Sequence, residues 1–489
     1  MINGTTSTVS TCRIILMENN FTQSFGKPFV SNYTPPACAA GSNKVLISLK
    51  VKSKGEQFDR LAIMYLGDNE VFRTSTAEPT RNGIEWEYEK DMSAYMALWK
   101  TAQKLIFDLP NQTTANLTGT YNTTLMATYL TVSDTQTTNP GPGPADMIIP
   151  ISSRMGINAS SPSAFNIPTD SATTTFSFPR NAARAIFSLS STGQGNEEFW
   201  WSNFLQSDIL TFGPGANAFG YSPFREVQVL IDGQIAGVQW PFPIIFTGGV
   251  APGLWSPVVG IDAFDLKEYE IDITPWLPRL CDGNMHTFNI KVVGLEDDGR
   301  NGAMLSEMTG SSWVVTGNIF VWLDKEGSIT TGSAISIDIK PPTIAVSQSS
   351  TTNSTGANET LTYTTSVQRT LTISSTVKTQ NGSQICTWTQ SLSHSDQGQF
   401  LNFGNSQINH ISTSGTDTSS GPVFYSNTYS YPLFSNTTAT STPDGNVTFL
   451  ADIRRTKKHC HVRNIRLPIS TGSFRRRSKD FHIGLRGNR

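Results

Sequence analysis

The chain has 489 residues, 37% of them hydrophobic and only 15% charged, with a formal net charge of −2 at pH 7. That length exceeds one ordinary domain, and abundant Ser, Thr, Asn and Gly without Glu/Lys/Ala-rich helical stretches favours an all-β, extracellular-type protein. No apolar run approaches the roughly 20 residues of a spanning helix, which argues against membrane insertion. Residues 453–489 hold 12 of the 36 Lys and Arg, leaving 24 basic against 37 acidic side chains in the rest, a balance of −13 that excludes a phosphate-backbone binder.

The first third reads as short strands. Ile47, Leu49 and Val51 alternate with Ser48, Lys50 and Lys52, the period of a half-buried strand. Phe58–Leu66 is a fuller apolar run, and Gly67-Asp68-Asn69 turns it into 70–76. Further strands are expected at Lys104–Leu109, Tyr121–Val132 and, beyond a proline-rich loop at 139–144, Met147–Ile151. These compose a first β-sandwich over residues 1–163, with the proline run inside it.

A second sandwich is expected over 164–340. Ala185–Leu189 leads into the block Gly193-Gln194-Gly195-Asn196-Glu197-Glu198-Phe199-Trp200-Trp201-Ser202-Asn203. Val227, Val229 and Ile231 alternate with Glu226, Gln228 and Leu230, and Asp232-Gly233 is the hairpin turn. Arg225-Glu226 reads as an ion pair at the strand start. Tyr269–Ile273 and His286–Val293 complete the pattern of short strands expected of a jelly roll. From 341 to 452 Thr and Ser alternate with Leu, Ile and Val, a third β module with a polar outer face. Residues 453–489 carry Arg454-Arg455 and Arg475-Arg476-Arg477 without periodicity and read as a disordered or aberrant basic tail.

The acidic-aromatic block carries the chemistry. Carboxylates move protons, and flat rings stack on the apolar faces of pyranoses, so this mixture points to a carbohydrate-active site. If the segment were a strand, Trp200 and Trp201 would face opposite sides, one of them into the core. Five cysteines are too few for a disulfide scaffold. Cys12 and Cys38 could close one loop, Cys281 and Cys386 could pair or stay buried, and Cys460 lies in the tail; the lesser alternative is that all five are free. No Cys/His spacing resembles a zinc site, so neither a metal nor a cofactor is expected. Twelve Asn-x-Ser/Thr sequons suggest a secretory history, whereas Met1-Ile2-Asn3-Gly4-Thr5 begins no signal peptide. The expectation is a secreted, vacuolar or luminal protein whose leader is missing from this chain.

Longer motifs carry a family resemblance. Glu198-Phe199-Trp200-Trp201-Ser202-Asn203, Pro223-Phe224-Arg225-Glu226-Val227, Trp240-Pro241-Phe242-Pro243, Pro252-Gly253-Leu254-Trp255 and Asp272-Ile273-Thr274-Pro275 resemble the fungal and plant peptide:N-glycosidase A family. Phe58-Asp59-Arg60-Leu61 and Phe72-Arg73-Thr74-Ser75-Thr76-Ala77-Glu78-Pro79 do so too, and the resemblance runs from about Thr11 to Asp452. It implies an amidase that acts on N-glycosylated peptides or proteins and cleaves the bond between asparagine and the first N-acetylglucosamine. It also implies tandem jelly rolls, as in the distantly similar bacterial peptide:N-glycosidases, with an Asp-Arg pair from the first domain facing a Glu from the second.

Residue by residue, Asp59-Arg60 matches the Asp-Arg pair, and either Glu197 or Glu198 matches the Glu; Asp108 is a candidate for a further first-domain acid. The expected roles are acid/base work at Asp59, sugar contact or proton sharing at Glu197 or Glu198, and oxyanion donation from Arg60 or Arg225. Trp200, Trp201, Trp240 and Trp255 are expected as sugar platforms, with Asn203 as a further substrate contact. A non-catalytic lectin and a carboxylate-pair glycoside hydrolase are the competing readings.

Overall fold

The computed structural model describes residues 10–132, 143–216, 218–250, 259–441, 447–464 and 481–487. Its first eight strands are β1 (Ser10–Phe21), β2 (Phe29–Tyr33), β3 (Lys44–Lys54), β4 (Leu61–Leu66), β5 (Asn69–Ser75), β6 (Ile84–Asp91), β7 (Gln103–Asp108) and β8 (Thr120–Thr131). They form two four-stranded sheets of order β1-β8-β3-β6 and β2-β7-β4-β5, the two interleaved Greek keys of a jelly roll. The alternation predicted at Ile47, Leu49 and Val51 places all three in the core of β3. A disulfide joins Cys12 to Cys38, whereas Cys281 and Cys386 are free and buried and Cys460 is free and exposed.

The same order recurs in the next strands: β9 (Met147–Ile151), β10 (Phe165–Ile167), β11 (Thr173–Ser177), β12 (Ala182–Gly193), β13 (Glu226–Ile231), β14 (Gln234–Gln239), β15 (Tyr269–Asp272), β16 (Met285–Asp297), β17 (Ala303–Ser306) and β18 (Trp313–Leu323). One sheet runs β10-β18-β12-β15, with β9 also on β18; the other runs β11-β16-β13-β14, with β17 on β16. The first sandwich was expected to keep Met147–Ile151. Instead β9 pairs with Gly317–Val321 of β18, so this strand belongs to the second sandwich. Its pairing supplies the edge that the short β10, which covers only 313–315, leaves open.

A buried ion pair joins the sandwiches. Arg73 of β5 donates through Nε and Nη2 to the Glu70 carboxylate, both at 2.8 Å. Its Nη1 donates to Thr192 Oγ1 at 2.9 Å and to the Val314 carbonyl at 2.8 Å, both in the second sandwich. Thr316 and Asn318 of β18 donate back to Glu70 at 2.7 and 2.6 Å. With every charge partnered and water excluded, this cluster fixes the relative placement of the two jelly rolls.

The C-terminal sheet contains β19 (Thr331–Gly332), β20 (Ser336–Ile339), β21 (Thr343–Thr352), β22 (Asn358–Thr379), β23 (Gly382–Leu401), β24 (Ser406–Ser420), β25 (Phe424–Ser441), β26 (Val447–Arg455), β27 (Lys458–Asn464) and β28 (Phe481–Gly487). Its long central strands alternate buried and exposed, as the Ser/Thr pattern predicted, and the buried face covers the second sandwich. That cover explains why β13 is buried on both faces, although its sequence alternates. Arg369 of β22 pairs with Glu226 at 2.7 Å, and the Gln390 carboxamide donates to and accepts from the backbone of Val238.

The basic segment after 453 is not a detached tail where it is described. β26 and β27 both pair with β25. Arg455 donates to the carbonyls of Pro243 and Ile261, while Lys457 pairs with Asp262 and lies over the rings of Phe242 and Tyr431. Ladder hydrogen bonds and cation–π contacts hold these charges, which composition alone could not foresee.

Candidate active site

Three carboxylates converge where the sandwiches meet. Asp59 lies in the extended segment just before β4 rather than within a strand. Glu78 follows β5, its backbone N–H donating to Thr247 Oγ1 at 2.8 Å across the junction. Glu198 comes from the second sandwich, at the C-terminal edge of a one-turn 3-10 helix, Gly195–Glu197. The turn follows the end of β12, where Gly195 adopts a φ of +59° that glycine tolerates best.

Mutual repulsion and burial dominate the electrostatics. Burial first, then the charges of Glu198 and Glu78, push the Asp59 carboxyl up to about 8. Burial and Glu78 push Glu198 up to about 7. Arg60 opposes this only weakly at Asp59, because its Nη2 is engaged with Gln57 Oε1 at 2.8 Å and its guanidinium lies over the Phe25 ring. Arg60 Nε is buried and finds no acceptor among the described residues. Asp59 and Glu198 therefore keep protons at neutral pH.

Glu197 takes no part in this cluster. Its side chain is fully buried and accepts from Arg225 Nε and Nη2 at 2.6 and 2.7 Å, from Trp313 Nε1 at 2.8 Å and from the Gly310 amide at 2.8 Å. Arg225 is equally buried and spends Nη1 on the carbonyls of Tyr221, Ser222 and Phe224. The pair is structural, which corrects the expectation of sugar contact at Glu197 and of oxyanion donation from Arg225. Nor does Arg225 pair with Glu226, whose partner is Arg369. Of the two adjacent glutamates, only Glu198 reaches the cluster.

The tryptophans divide. Trp200 and Trp201 lie on a 3-10 turn, not a strand, and both are largely buried. Trp200 lines a cleft with Glu198, Gln239, Phe242, Tyr269 and Lys457. Trp201 and Asn203 line a separate cavity on the other side of the turn. Trp240 is core: its Nε1 donates to Glu226 at 2.9 Å and its ring packs edge-on against Phe224. This corrects its expected role as a platform, and Trp255 lies outside the described residues.

Asp108 ends β7, and burial alone pushes its carboxyl up to about 6, with no neighbouring charge contributing, so it stands apart from the three. Glu78 was not singled out from the sequence. Its signal was available: a lone acid in Thr76-Ala77-Glu78-Pro79, unlike the Lys-paired acids of β6. A Cβ at Gly248 would collide with the Glu78 carboxylate, so this backbone approach requires glycine, as does the φ of +72° there.

Two jelly rolls with an acidic cluster at their junction, covered by a long C-terminal sheet, define an all-β protein of tandem sandwiches. Residues 2–340 match the model of the family Peptide N-acetyl-beta-D-glucosaminyl asparaginase amidase A, and 362–433 match the PNGase_A C-terminal domain. The chain belongs to this family. It is 33% identical over 333 residues to "Peptide-N4-(N-acetyl-beta-glucosaminyl)asparagine amidase A" of Prunus dulcis, a match that spans 66% of this chain and 56% of that protein. Two solved structures are also similar. One is a crystal structure of a peptide-N(4)-(N-acetyl-beta-D-glucosaminyl) asparagine amidase (11% identity, 65% of this chain and 97% of that one, TM-score 0.38). The other is PNGF-II (14% identity, 65% and 66%, TM-score 0.42). At these scores the fold assignment rests on the strand order itself.

Proposed function

We propose that this chain hydrolyses the amide bond between asparagine and N-acetylglucosamine in N-glycosylated peptides. Family membership supports the reaction class, and the observation that carries the reading is the carboxylate cluster of Asp59, Glu78 and Glu198. An amide nitrogen is a poor leaving group and must be protonated as it departs. A carboxyl raised to about 8 is still protonated at neutral pH and can supply that proton.

In this reading Glu198, ionised more readily, takes a proton from water as the water oxygen bonds to the carbonyl carbon. Asp59 gives its proton to the nitrogen as the carbon–nitrogen bond breaks. Glu78 keeps the proton on its neighbours by repulsion. The products are an aspartyl peptide and a glycosylamine. The rate then peaks between about pH 7 and pH 8, where Glu198 is ionised while Asp59 still holds its proton. We also propose a secretory or luminal setting, supported by the Cys12–Cys38 disulfide and by exposed sequon asparagines such as Asn20, Asn32 and Asn381.

The test is digestion of a glycopeptide in heavy-oxygen water with mass spectrometry. Labelled aspartate with the chitobiose intact on the released glycan supports the amidase. N-acetylglucosamine left on asparagine would mean a glycoside hydrolase, and binding without conversion would mean a lectin.

A further inference from the structure

The cavity on the Trp201 side of the acidic-aromatic turn has a volume of about 370 Å³, within the range of small-molecule sites. It lies between the 195–219 segment of the second sandwich and the C-terminal sheet. Phe204 and Phe400, stacked at 3.8 Å, join the two units, and Gln407 Nε2 donates to the Ser202 carbonyl at 2.8 Å. These contacts make the cavity a built feature of the packing between units rather than a surface dimple.

Its chemistry is selective. None of the described residues lining it carries a formal charge. The walls combine aromatic rings (Phe199, Trp201, Phe219, Phe449) with amides and hydroxyls such as Asn203, Asn405, Gln407 and Thr437. Asn203 is 3% exposed; its Nδ2 is spent on Gly220 O and Glu197, while Oδ1 accepts from no described residue. Gln407 Oε1 is likewise left as an acceptor. By contrast, the cleft at Glu198 is lined also by Asp262, Lys267 and Lys457.

Phosphates, cations and acidic peptides need opposite charge to offset desolvation, which this cavity lacks. A purely apolar ligand would leave the buried Asn203 acceptor unpaired. Rings for pyranose faces and neutral donors and acceptors for hydroxyls fit a neutral oligosaccharide. Position favours it too. Phe199 adjoins Glu198 in sequence and lines the cavity, and a Cβ at Gly249 would lie 3.2 Å from its ring, one residue from the Gly248 that abuts Glu78.

We infer that this cavity is a subsite for neutral outer sugars of a glycan whose reducing end lies at the carboxylate cluster. This rests on the proposed function for its orientation, but not for its ligand class. The C-terminal sheet is thereby a specificity element, since it supplies Phe400, Asn405, Gln407 and Thr437.

The test uses the full chain with Phe219→Ala, which removes a half-exposed ring, and Thr437→Trp, which fills the space. Two glycopeptides are compared, one with an oligomannose glycan and one trimmed to chitobiose. The expected result is a KM raised roughly 10-fold for the long glycan in each variant, about the loss of one ring–sugar contact. The kcat for both substrates and the KM for chitobiose stay unchanged. Equal effects on both substrates, or none on either, overturn the subsite while leaving the amidase reading intact. If the unmodified chain cleaves neither substrate, the amidase reading fails alone, and calorimetric titration with free oligomannose decides the subsite. Binding weakened by both variants supports it; no binding to the unmodified chain, or equal binding to all three, overturns it.

Discussion

Glu197 and Arg225 form a bidentate pair at 2.6 and 2.7 Å with neither side chain exposed, while the next residue, Glu198, stands among carboxylates with its pKa raised to about 7. One step of a 3-10 turn thus separates an acid locked in an ion pair from one held among like charges. Breaking the structural pair leaves a buried guanidinium without its counter-charge. Glu197→Gln is predicted to cost about 3–5 kcal/mol of stability, read as a lowered denaturation midpoint. A midpoint equal to that of the unmodified chain would show that the pair is not the anchor described.

Glu198→Gln should behave oppositely. It removes a buried charge that its neighbours repel, so the thermal midpoint should hold or rise. Turnover of a glycopeptide should fall roughly 10²–10⁴-fold, the usual contribution of a general base. Full activity would remove Glu198 from the mechanism.

Arg73 reaches across the sandwich junction to Thr192 and Val314, so Arg73→Met should act on both stability and rate. It leaves Glu70 buried without its cation, a loss of about 3–5 kcal/mol. Among molecules that remain folded, kcat should also fall, because Asp59 and Glu78 would shift relative to Glu198. Normal kcat at reduced stability would show that the placement is held elsewhere.

Stability should depend on pH with a definite sign. Asp59 and Glu198 have ordinary values of 3.8 and 4.5 and folded values of about 8 and about 7. Between those limits the folded chain binds more protons than the unfolded one, so unfolding free energy falls as pH rises. The buried Asp396 and the partly buried Asp417, each raised to about 7, add to the same slope. Asp59→Asn should flatten the decline between about pH 5 and pH 8 in urea titrations. An unchanged slope in that variant would contradict the raised value at Asp59.

Much of this was legible in the sequence, and the exceptions have physical causes. The alternation of Ile47, Leu49 and Val51 names a strand because each faces the core on its own. Asp59 was legible because Asp59-Arg60 resembles the family's Asp-Arg pair, and Glu198 as one of two acids beside the tryptophans. Which of Glu197 and Glu198 reaches the junction was not, because it depends on where Arg225 and Trp313 lie after folding. Trp240 read as a sugar platform because nothing local reveals that Glu226 will accept its indole N–H. Burial of Glu226 against Arg369 and of Arg455 against Pro243 depends on packing between the second sandwich and the C-terminal sheet, over more than a hundred residues of sequence.

The central claim is that Asp59 and Glu198, beside the Glu78 carboxylate, hold protons at the sandwich junction and use them on the glycosylated amide. A kcat/KM profile on a glycopeptide from about pH 4 to pH 9 tests it most directly, with the unmodified chain and Glu78→Gln compared. The account predicts an alkaline limb between about 7 and 8 that moves to lower pH when the Glu78 charge is removed. A rate still rising at pH 9, or a limb unmoved in Glu78→Gln, would contradict it.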